Sequence, residues 1–189
     1  WTINTAGDPS GQNVIAAIQS SNVENIFFNA YDTDNTADGT SLDMTLFTGV
    51  QKVGVTSASA TGDMLFNNVP NLVDLDVKNA AGNTVKVTYA ASVVSPLAGS
   101  QTQNINVSNI TGTTGVITVA GVETVNVNSS MLGSRLSDLV IDNATALNIT
   151  GDKDLRIDSD VTFKDATVAT ATDGTIDASG FTGKLTFTQ

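Results

Sequence analysis

The sequence has 189 residues and a formal net charge of −11 at pH 7, with 8 Lys and Arg against 19 Asp and Glu. This balance argues against a nucleic-acid partner, because binding to phosphates depends on Lys and Arg. The chain has no Cys and no His, which excludes disulfides, thiolate nucleophiles, zinc–sulfur sites and the Ser-His-Asp arrangement. Its hydrophobic content of 40% predicts a folded chain.

In chain order, the first predicted element is a short helix over residues 12–19 (QNVIAAIQ). Val14, Ile15 and Ile18 would share one face of it, after a DPSG turn. Beyond it, short stretches rich in Val, Ile and Thr alternate with Gly, Asn, Asp and Ser, which is typical of strands and turns. No apolar run approaches the roughly 18 residues of a membrane span, and no signal peptide is visible.

A recurring spacing predicts the fold: an apolar residue, two other residues, an apolar residue, one other residue and a third apolar residue. Shorter alternating pairs lie between these copies. The complete copies and the weaker ones are, in chain order, Val23, Ile26 and Phe28; Val50, Val53 and Val55; Leu72, Leu75 and Val77; Ile105 and Val107; Val122, Val125 and Val127; Leu136, Leu139 and Ile141; Ala144, Leu147 and Ile149; Leu185 and Phe187. The shorter pairs are Val85 and Val87, Ile117 and Val119, and Leu155 and Ile157.

Most copies lie roughly 20–30 residues apart, which indicates a solenoid. We therefore predict an all-β fold, a parallel β-helix or β-solenoid of short strands with irregular loops. Inward columns of Val, Ile and Leu would stack about 4.8 Å apart, and Thr, Asn and Asp would form ladders outside. A β-sandwich is the alternative, since its short strands also recur regularly, but the mutual similarity of the copies and the low aromatic content, 5%, favour the solenoid.

We expect a single β-solenoid domain or segment over residues 1–189, with a minor break near residues 96–100 (PLAGS). Because the chain begins at Trp1 and not at Met, it is expected to be part of a longer protein.

Three segments carry a resemblance to a known family. VAGVETVNVNSS (119–130), LVIDNATALNITGDKDLRIDSD (139–160) and TIDASGFTGKLTFT (175–188) resemble bacterial crystalline surface-layer (S-layer) proteins of the type I-secreted, RTX-related kind. The resemblance covers most of residues 22–188. It implies a secreted structural protein of the cell surface, a β-solenoid, and Ca²⁺ that drives folding and lattice assembly. The family's nonapeptide GGxGxDxUx has no copy here; its nearest equivalent, TATDGTIDASG (170–180), lacks the double glycine.

The densest group of candidate metal ligands lies in AYDTDNTADGTSLD (30–43). Its oxygen-bearing side chains are Asp32, Asp34, Asn35, Asp38 and Asp43. Ca²⁺ takes 6–8 oxygen ligands, and a loop with acids at alternate positions can wrap one ion. The spacing is not that of an EF-hand. The alternative is a solvated turn whose Asp and Asn side chains bond to their own backbone.

A second acidic group lies in GDKDLRIDSD (151–160), with Asp152, Asp154, Asp158 and Asp160 as candidate Ca²⁺ ligands. Lys153 and Arg156 lie among these acids, so local salt bridges compete with metal binding. Asp173 and Asp177 form a weaker candidate pair.

Asp74 and Asp76 would share an outward face, as catalytic acids on a polysaccharide-acting β-helix do. Such an enzyme needs two carboxyl groups about 5–10 Å apart in a cleft and aromatic platforms for sugars, which are scarce here. We therefore predict no catalytic residues. Several Asn residues begin an Asn-X-Ser/Thr match, and we interpret them as members of Asn ladders: Asn106, Asn109, Asn128, Asn143 and Asn148.

The sequence thus predicts a structural, self-assembling extracellular S-layer module, stabilised by Ca²⁺ and located at the cell surface. Expected partners are other copies in a lattice, the rest of the parent chain and cell-surface polysaccharide, with no nucleic acid and no membrane insertion. The alternative is an adhesin or carbohydrate-binding module of a large surface protein, and a third hypothesis is a β-helix enzyme acting on polysaccharide.

Overall fold

The structure, a computed structural model, describes residues 1–6, 13–15, 19–31, 39–58, 62–94, 100–159, 161, 163 and 174–187. These residues form strands and turns, and they contain no helix. The helix predicted over residues 12–19 is wrong where the chain is described, because Asn13–Ile15 form a strand that pairs in parallel with Thr40–Asp43. Pairing with a neighbouring coil outweighed the weak helical spacing of this short segment.

The described part of the chain contains nineteen strands. In chain order they are β1 (Thr2–Ala6), β2 (Asn13–Ile15), β3 (Ser20–Ser21), β4 (Asn25–Tyr31), β5 (Thr40–Asp43), β6 (Phe47–Thr48), β7 (Lys52–Ala58), β8 (Met64–Val69), β9 (Asp74–Lys78), β10 (Thr84–Tyr89), β11 (Thr102–Ser108), β12 (Val116–Val119), β13 (Thr124–Ser129), β14 (Ser134–Leu136), β15 (Asp138–Val140), β16 (Ala146–Gly151), β17 (Leu155–Ile157), β18 (Thr175–Asp177) and β19 (Leu185–Phe187).

All strand pairings of the described residues are parallel. The main sheet has eight strands in the order β1-β4-β7-β9-β11-β13-β16-β18. A second sheet has the order β15-β12-β10-β8-β5-β2, a third β14-β17-β19, and β3 pairs with β6. Strands that alternate between sheets along the chain, each paired with the next coil, form a parallel β-solenoid. The predicted fold is confirmed, and the antiparallel sandwich kept as its alternative is not the fold.

The main sheet keeps its register along the inward columns while the length of a coil varies, with one irregularity after Phe28, where Asn29 pairs with Ser57. Leu75 pairs with Ile105, 30 residues later, whereas Ile105 pairs with Val127 after 22 residues. The turns and loops between strands absorb the difference. Because a shift of one residue would turn every inward side chain outward, burial of one face holds this register.

The core is a stack of inward columns. One column of the main sheet is at most 1% exposed throughout, and it consists of Ile26, Val53, Leu75, Ile105, Val127 and Ile149. Phe28 of β4 and Phe66 of β8 stack across the interior with ring centroids 4.7 Å apart. Burying a side chain of this size contributes about 1.5–3 kcal/mol, so the columns are the main source of stability.

Nearly all apolar positions of the predicted repeat are buried, with four exceptions. Val23 and Leu185 are half-buried, and the side chains of Leu72 and Phe187 are 37% and 38% exposed. Val73, only 4% exposed, takes the inward place expected for Leu72. Among the described residues, no helix is long and apolar enough to cross a membrane.

Candidate functional sites on the outer faces

A ladder of amide side chains runs up the outer face of the main sheet. Asn148 Nδ2 donates to Asn126 Oδ1 at 2.8 Å, and Asn126 Nδ2 donates to Asn104 Oδ1 at 2.9 Å. Asn104 Nδ2 in turn donates to Asp74 Oδ1 at 2.9 Å. Each amide is both donor and acceptor, so the four coils are joined by side chains as well as by backbone bonds.

A second ladder lies two residues further along the same strands. Asn128 Nδ2 donates to Asn106 Oδ1 at 3.3 Å, and Asn106 Nδ2 donates to Asp76 Oδ1 at 2.7 Å. The other carboxylate oxygen of Asp76 lies 3.3 Å from Lys52 Nζ and 3.5 Å from Lys78 Nζ. Asp76 is only 5% exposed, and these contacts compensate its buried charge.

The predicted Asn ladders are confirmed at four of the five positions. Asn106, Asn128 and Asn148 belong to the two ladders above, and Asn109 donates to Asn79 Oδ1 at 2.9 Å. Asn143 instead occupies a turn at φ 75°, a conformation that Asn tolerates better than most residues.

A shallow depression of about 550 Å³ follows the two ladders, and Asp74, Asn104, Asn126 and Asn148 are part of its lining. The amides bond mainly to one another, and Asp74 and Asp76, the two acids considered for catalysis, each accept an Asn amide. The arrangement can hold successive coils in register.

Of the first predicted calcium group, the structure describes Asp43, while Asp32, Asp34, Asn35 and Asp38 lie outside the described residues. Asp43 Oδ1 accepts from the Thr45 hydroxyl at 2.6 Å, from the Thr45 N–H at 3.0 Å and from Asn68 Nδ2 at 3.2 Å. These bonds, with the Thr45 hydroxyl first, hold the pKa of Asp43 below its ordinary value. Asp43 therefore closes a turn and joins it to the next coil.

In the second predicted calcium group, the described carboxylates turn to different partners. Asp152 Oδ2 lies 2.6 Å from Lys153 Nζ, whose hydrogen bond lowers the pKa of Asp152. Asp154 Oδ1 accepts from the Lys184 N–H at 3.0 Å. Asp160 lies outside the described residues.

The third described acid of that group, Asp158, bridges two arginines. Arg135 Nε donates to Asp158 Oδ2 at 2.5 Å, and Arg156 Nε donates to Asp158 Oδ1. The bond from Arg156 first, and that from Arg135 next, lowers the pKa of the Asp158 carboxyl. The sequence predicted that local salt bridges compete with metal binding in this group, and such salt bridges are present for Asp152 and Asp158.

No group of three or more acidic side chains close enough to hold a metal ion occurs among the described residues. In the weaker candidate pair, Asp177 Oδ1 accepts from the Ser179 N–H at 2.8 Å, which lowers the pKa of Asp177. Its companion Asp173 lies outside the described residues. Carboxylate oxygens that accept one or two bonds keep lone pairs for a cation, so Ca²⁺ binding stays a prediction.

Sequence reasoning missed a depression on the third sheet with a volume of about 420 Å³. Arg135, Arg156 and Lys184 line it, together with Asp154. Its signal in the sequence was the placement of both arginines in similar strands one coil apart, where β14 and β17 pair them directly.

It also missed a polar group inside the solenoid. Tyr89 is 6% exposed and Gln103 is fully buried. The Tyr89 hydroxyl donates to Gln103 Oε1, and Gln103 Nε2 donates to the Val73 carbonyl at 2.7 Å. Burial raises the pKa of Tyr89 well above its ordinary value. Gln103 belongs to an inward column that continues with Val125 and Leu147 in the next two coils. The column is therefore polar at Gln103 and apolar in those coils.

The fold and its outer faces define the class of this chain: it is a parallel β-solenoid with side-chain ladders. Comparison with protein-family models, curated proteins and solved structures finds no match.

Proposed function

We propose that this chain is a structural module of a self-assembling extracellular surface layer, which Ca²⁺ stabilises. The observation that carries the proposal is the eight-stranded parallel main sheet, whose outermost strands are β1 and β18. Within the described residues, each of these strands pairs on one side only. An open parallel edge is a template for a further strand, so we assign both edges to contacts with the rest of the parent chain or with other copies.

Exposed apolar side chains at the two ends of the solenoid support this assignment. Ile176 in β18 is 46% exposed and Phe187 in β19 is 38% exposed, while Trp1, next to β1, is 55% exposed. A contact in which the last coil of one copy meets the first coil of another is heterologous. Such a contact does not close on itself, and it generates filaments or lattices.

Charge and the resemblance to S-layer proteins support a role for Ca²⁺. A net charge of −11 on 189 residues makes copies repel one another. A divalent cation bound by carboxylates would lower this repulsion and would stabilise the state that binds it. The proposed ligands are the acids of residues 30–43 and 151–160, including Asp43, Asp152 and Asp154.

Association is tested by sedimentation velocity over a range of protein concentrations, with Ca²⁺ or a chelator. We expect larger species with Ca²⁺ and their loss in the Ile176→Lys variant, which places a charge at the β18 edge. The matched control is Leu72→Lys, because Leu72 is similarly exposed, at 37%, but lies in the middle of the solenoid. Monomers under every condition would contradict the proposal, as would equal loss of assembly in both variants.

Calcium binding is tested separately by thermal melting of the chelator-treated protein, titrated with Ca²⁺ and, as a control, Mg²⁺. We expect a saturable rise of the melting temperature that Mg²⁺ does not reproduce. An unchanged melting temperature would remove Ca²⁺ from the proposal without affecting the stacking of coils.

An adhesin or carbohydrate-binding module is the second candidate, and the depression on the third sheet is the observation that favours it. The hypothesis of an enzyme acting on polysaccharide has less support, since Asp74 and Asp76 are engaged in the ladders.

A further inference from the structure

The depression on the third sheet concentrates positive charge on an acidic protein. The residues that line it include three cationic ones, Arg135, Arg156 and Lys184, and one acidic residue, Asp154. One oxygen of that carboxylate already accepts the Lys184 N–H. The lining therefore has a surplus of positive charge, in contrast to the net charge of −11 of the whole chain.

Arg135 and Arg156 are the only two arginines of the sequence, and β14 and β17 place them directly opposite each other. Like charges at opposite positions of neighbouring strands destabilise a sheet. Asp158 offsets this repulsion by accepting one Nε–H from each arginine, and it is not part of the lining. The carboxylate that neutralises the pair thus lies outside the depression that the pair lines.

Donors remain for a ligand after these internal bonds. A guanidinium has five N–H donors, and the bonds to Asp158 use the Nε–H of each arginine. Lys184 Nζ makes no ion pair with any described residue. The side chains of Arg135 and Arg156 are 37% and 49% exposed, so solvent and solutes reach them.

A strained, exposed corner borders the depression. Six non-glycine residues of the described chain have positive φ; five are Asn, and the sixth is Met131 at φ 66°. Met131 and Leu132 are 69% and 55% exposed, and the next residue, Gly133, lines the depression. Core packing does not account for a strained Met that faces solvent, and backbone strain of this kind concentrates at binding sites.

We propose that this depression binds a carboxylate supplied from outside the described chain. Arginine is suited to a carboxylate because its planar guanidinium matches the two oxygens. The carboxylate can come from a soluble sugar acid or from an acidic side chain of a second copy. The proposal does not depend on edge stacking, since it concerns a different face of the solenoid.

The first experiment uses the two arginines as reporters. In the ¹⁵N-labelled protein, two Arg Nε–Hε signals are expected and can be assigned with Arg135→Lys and Arg156→Lys. Sodium glucuronate is titrated at constant ionic strength against sodium chloride, with glucose as the neutral control. We expect both signals to shift together and to saturate with glucuronate alone.

Matched variants locate the binding. Arg156→Lys keeps the charge but loses the planar fork, and we expect affinity for glucuronate to fall about tenfold. Lys86→Gln is the control, since exposed Lys86 lies in β10 of the second sheet and its loss changes the net charge without touching the depression.

The second experiment identifies the source of the carboxylate. Saturable glucuronate binding by monomeric protein identifies a soluble acid. The other outcome is association of the protein that both acetate and Arg156→Lys weaken and that Ile176→Lys leaves unchanged. In that case the acid comes from a second copy. If the arginine signals respond to glucuronate no more than to chloride, and association is insensitive to Arg156→Lys, the proposal is overturned.

Discussion

Asn126 donates its side-chain amide to Asn104 across 22 residues of sequence, at a distance of 2.9 Å. The two residues are register partners in β13 and β11, so the side-chain bond runs parallel to the backbone bonds of the main sheet. An amide that repeats at the same position of successive coils continues such a chain of bonds, because each amide offers both a donor and an acceptor.

Replacing Asn126 with Ala interrupts the first ladder between Asn148 and Asn104. We expect a loss of about 1 kcal/mol in the free energy of unfolding, the net value of exposed hydrogen bonds of this kind. Urea denaturation measures it. Asn25→Ala is the matched control. Asn25 pairs with Lys52 and so lies in the same outward column as Asn126, but its side chain makes no bond to a described residue. Equal losses in both variants would argue against a stabilising ladder.

Gly54 in β7 cannot carry a side chain. A Cβ built there would lie 2.0 Å from the carbonyl oxygen of Asp76 in the adjacent strand. Gly54→Ala must therefore push β7 and β9 apart, and we expect a destabilisation of about 3 kcal/mol or more. The control is Gly180→Ala, where the nearest atom, Thr150 Cγ2, is at 3.5 Å. Thermal melting of both variants tests the prediction, which is wrong if the two behave alike.

The polar link inside the solenoid makes a further prediction. Tyr89→Phe removes the hydroxyl that donates to Gln103, and leaves a buried amide oxygen without its donor. We expect the free energy of unfolding to fall by about 1–3 kcal/mol. Thr88→Val is the control, since it removes an exposed hydroxyl from the same strand. A neutral Tyr89→Phe variant would contradict the importance of this bond.

The same tyrosine predicts how stability depends on alkaline pH. Burial raises the pKa of Tyr89 in the folded state, whereas an unfolded tyrosine ionises near pH 10. The contribution of Tyr89 to the free energy of unfolding is constant below about pH 10. It is lost as the pH rises further, because the tyrosine of the unfolded chain releases its proton first. Urea midpoints measured from pH 8 to pH 11 should decline more steeply for the wild type than for Tyr89→Phe. Parallel curves would refute this assignment.

Asp158 predicts the acid limb of the stability curve. Its pKa is lowered in the folded state by the bonds from Arg156 and Arg135. The stabilisation is therefore complete above the unfolded pKa of about 3.9 and is lost as the pH falls through the folded pKa. Asp158→Asn should melt at a lower temperature than the wild type at pH 7, and the difference should shrink as the pH falls below the unfolded pKa of about 3.9. Asp152→Asn, which removes a more exposed pair, serves as the control and should change less.

The repeat of apolar residues determined the main features of the fold. Val53, Leu75 and Ile105 recur at solenoid spacing, and they pair in one buried column as predicted. The outward Asn residues also followed from the sequence, since residues that alternate with inward ones must face solvent. This pattern is local in the chain, and strand geometry converts it directly into two faces.

Only the tertiary structure decided which polar groups meet. The stacking of β14, β17 and β19 brings three cationic residues to a common depression. In the sequence, Arg156 lies one coil after Arg135, and Lys184 lies one coil after Arg156. In the same way, Asp158 bonds to arginines of two coils, although the sequence grouped it with neighbouring acids as a Ca²⁺ ligand. Composition and spacing determine that a residue is outward. Its partners depend on loop lengths and on the register between coils, which the residue's own segment does not encode.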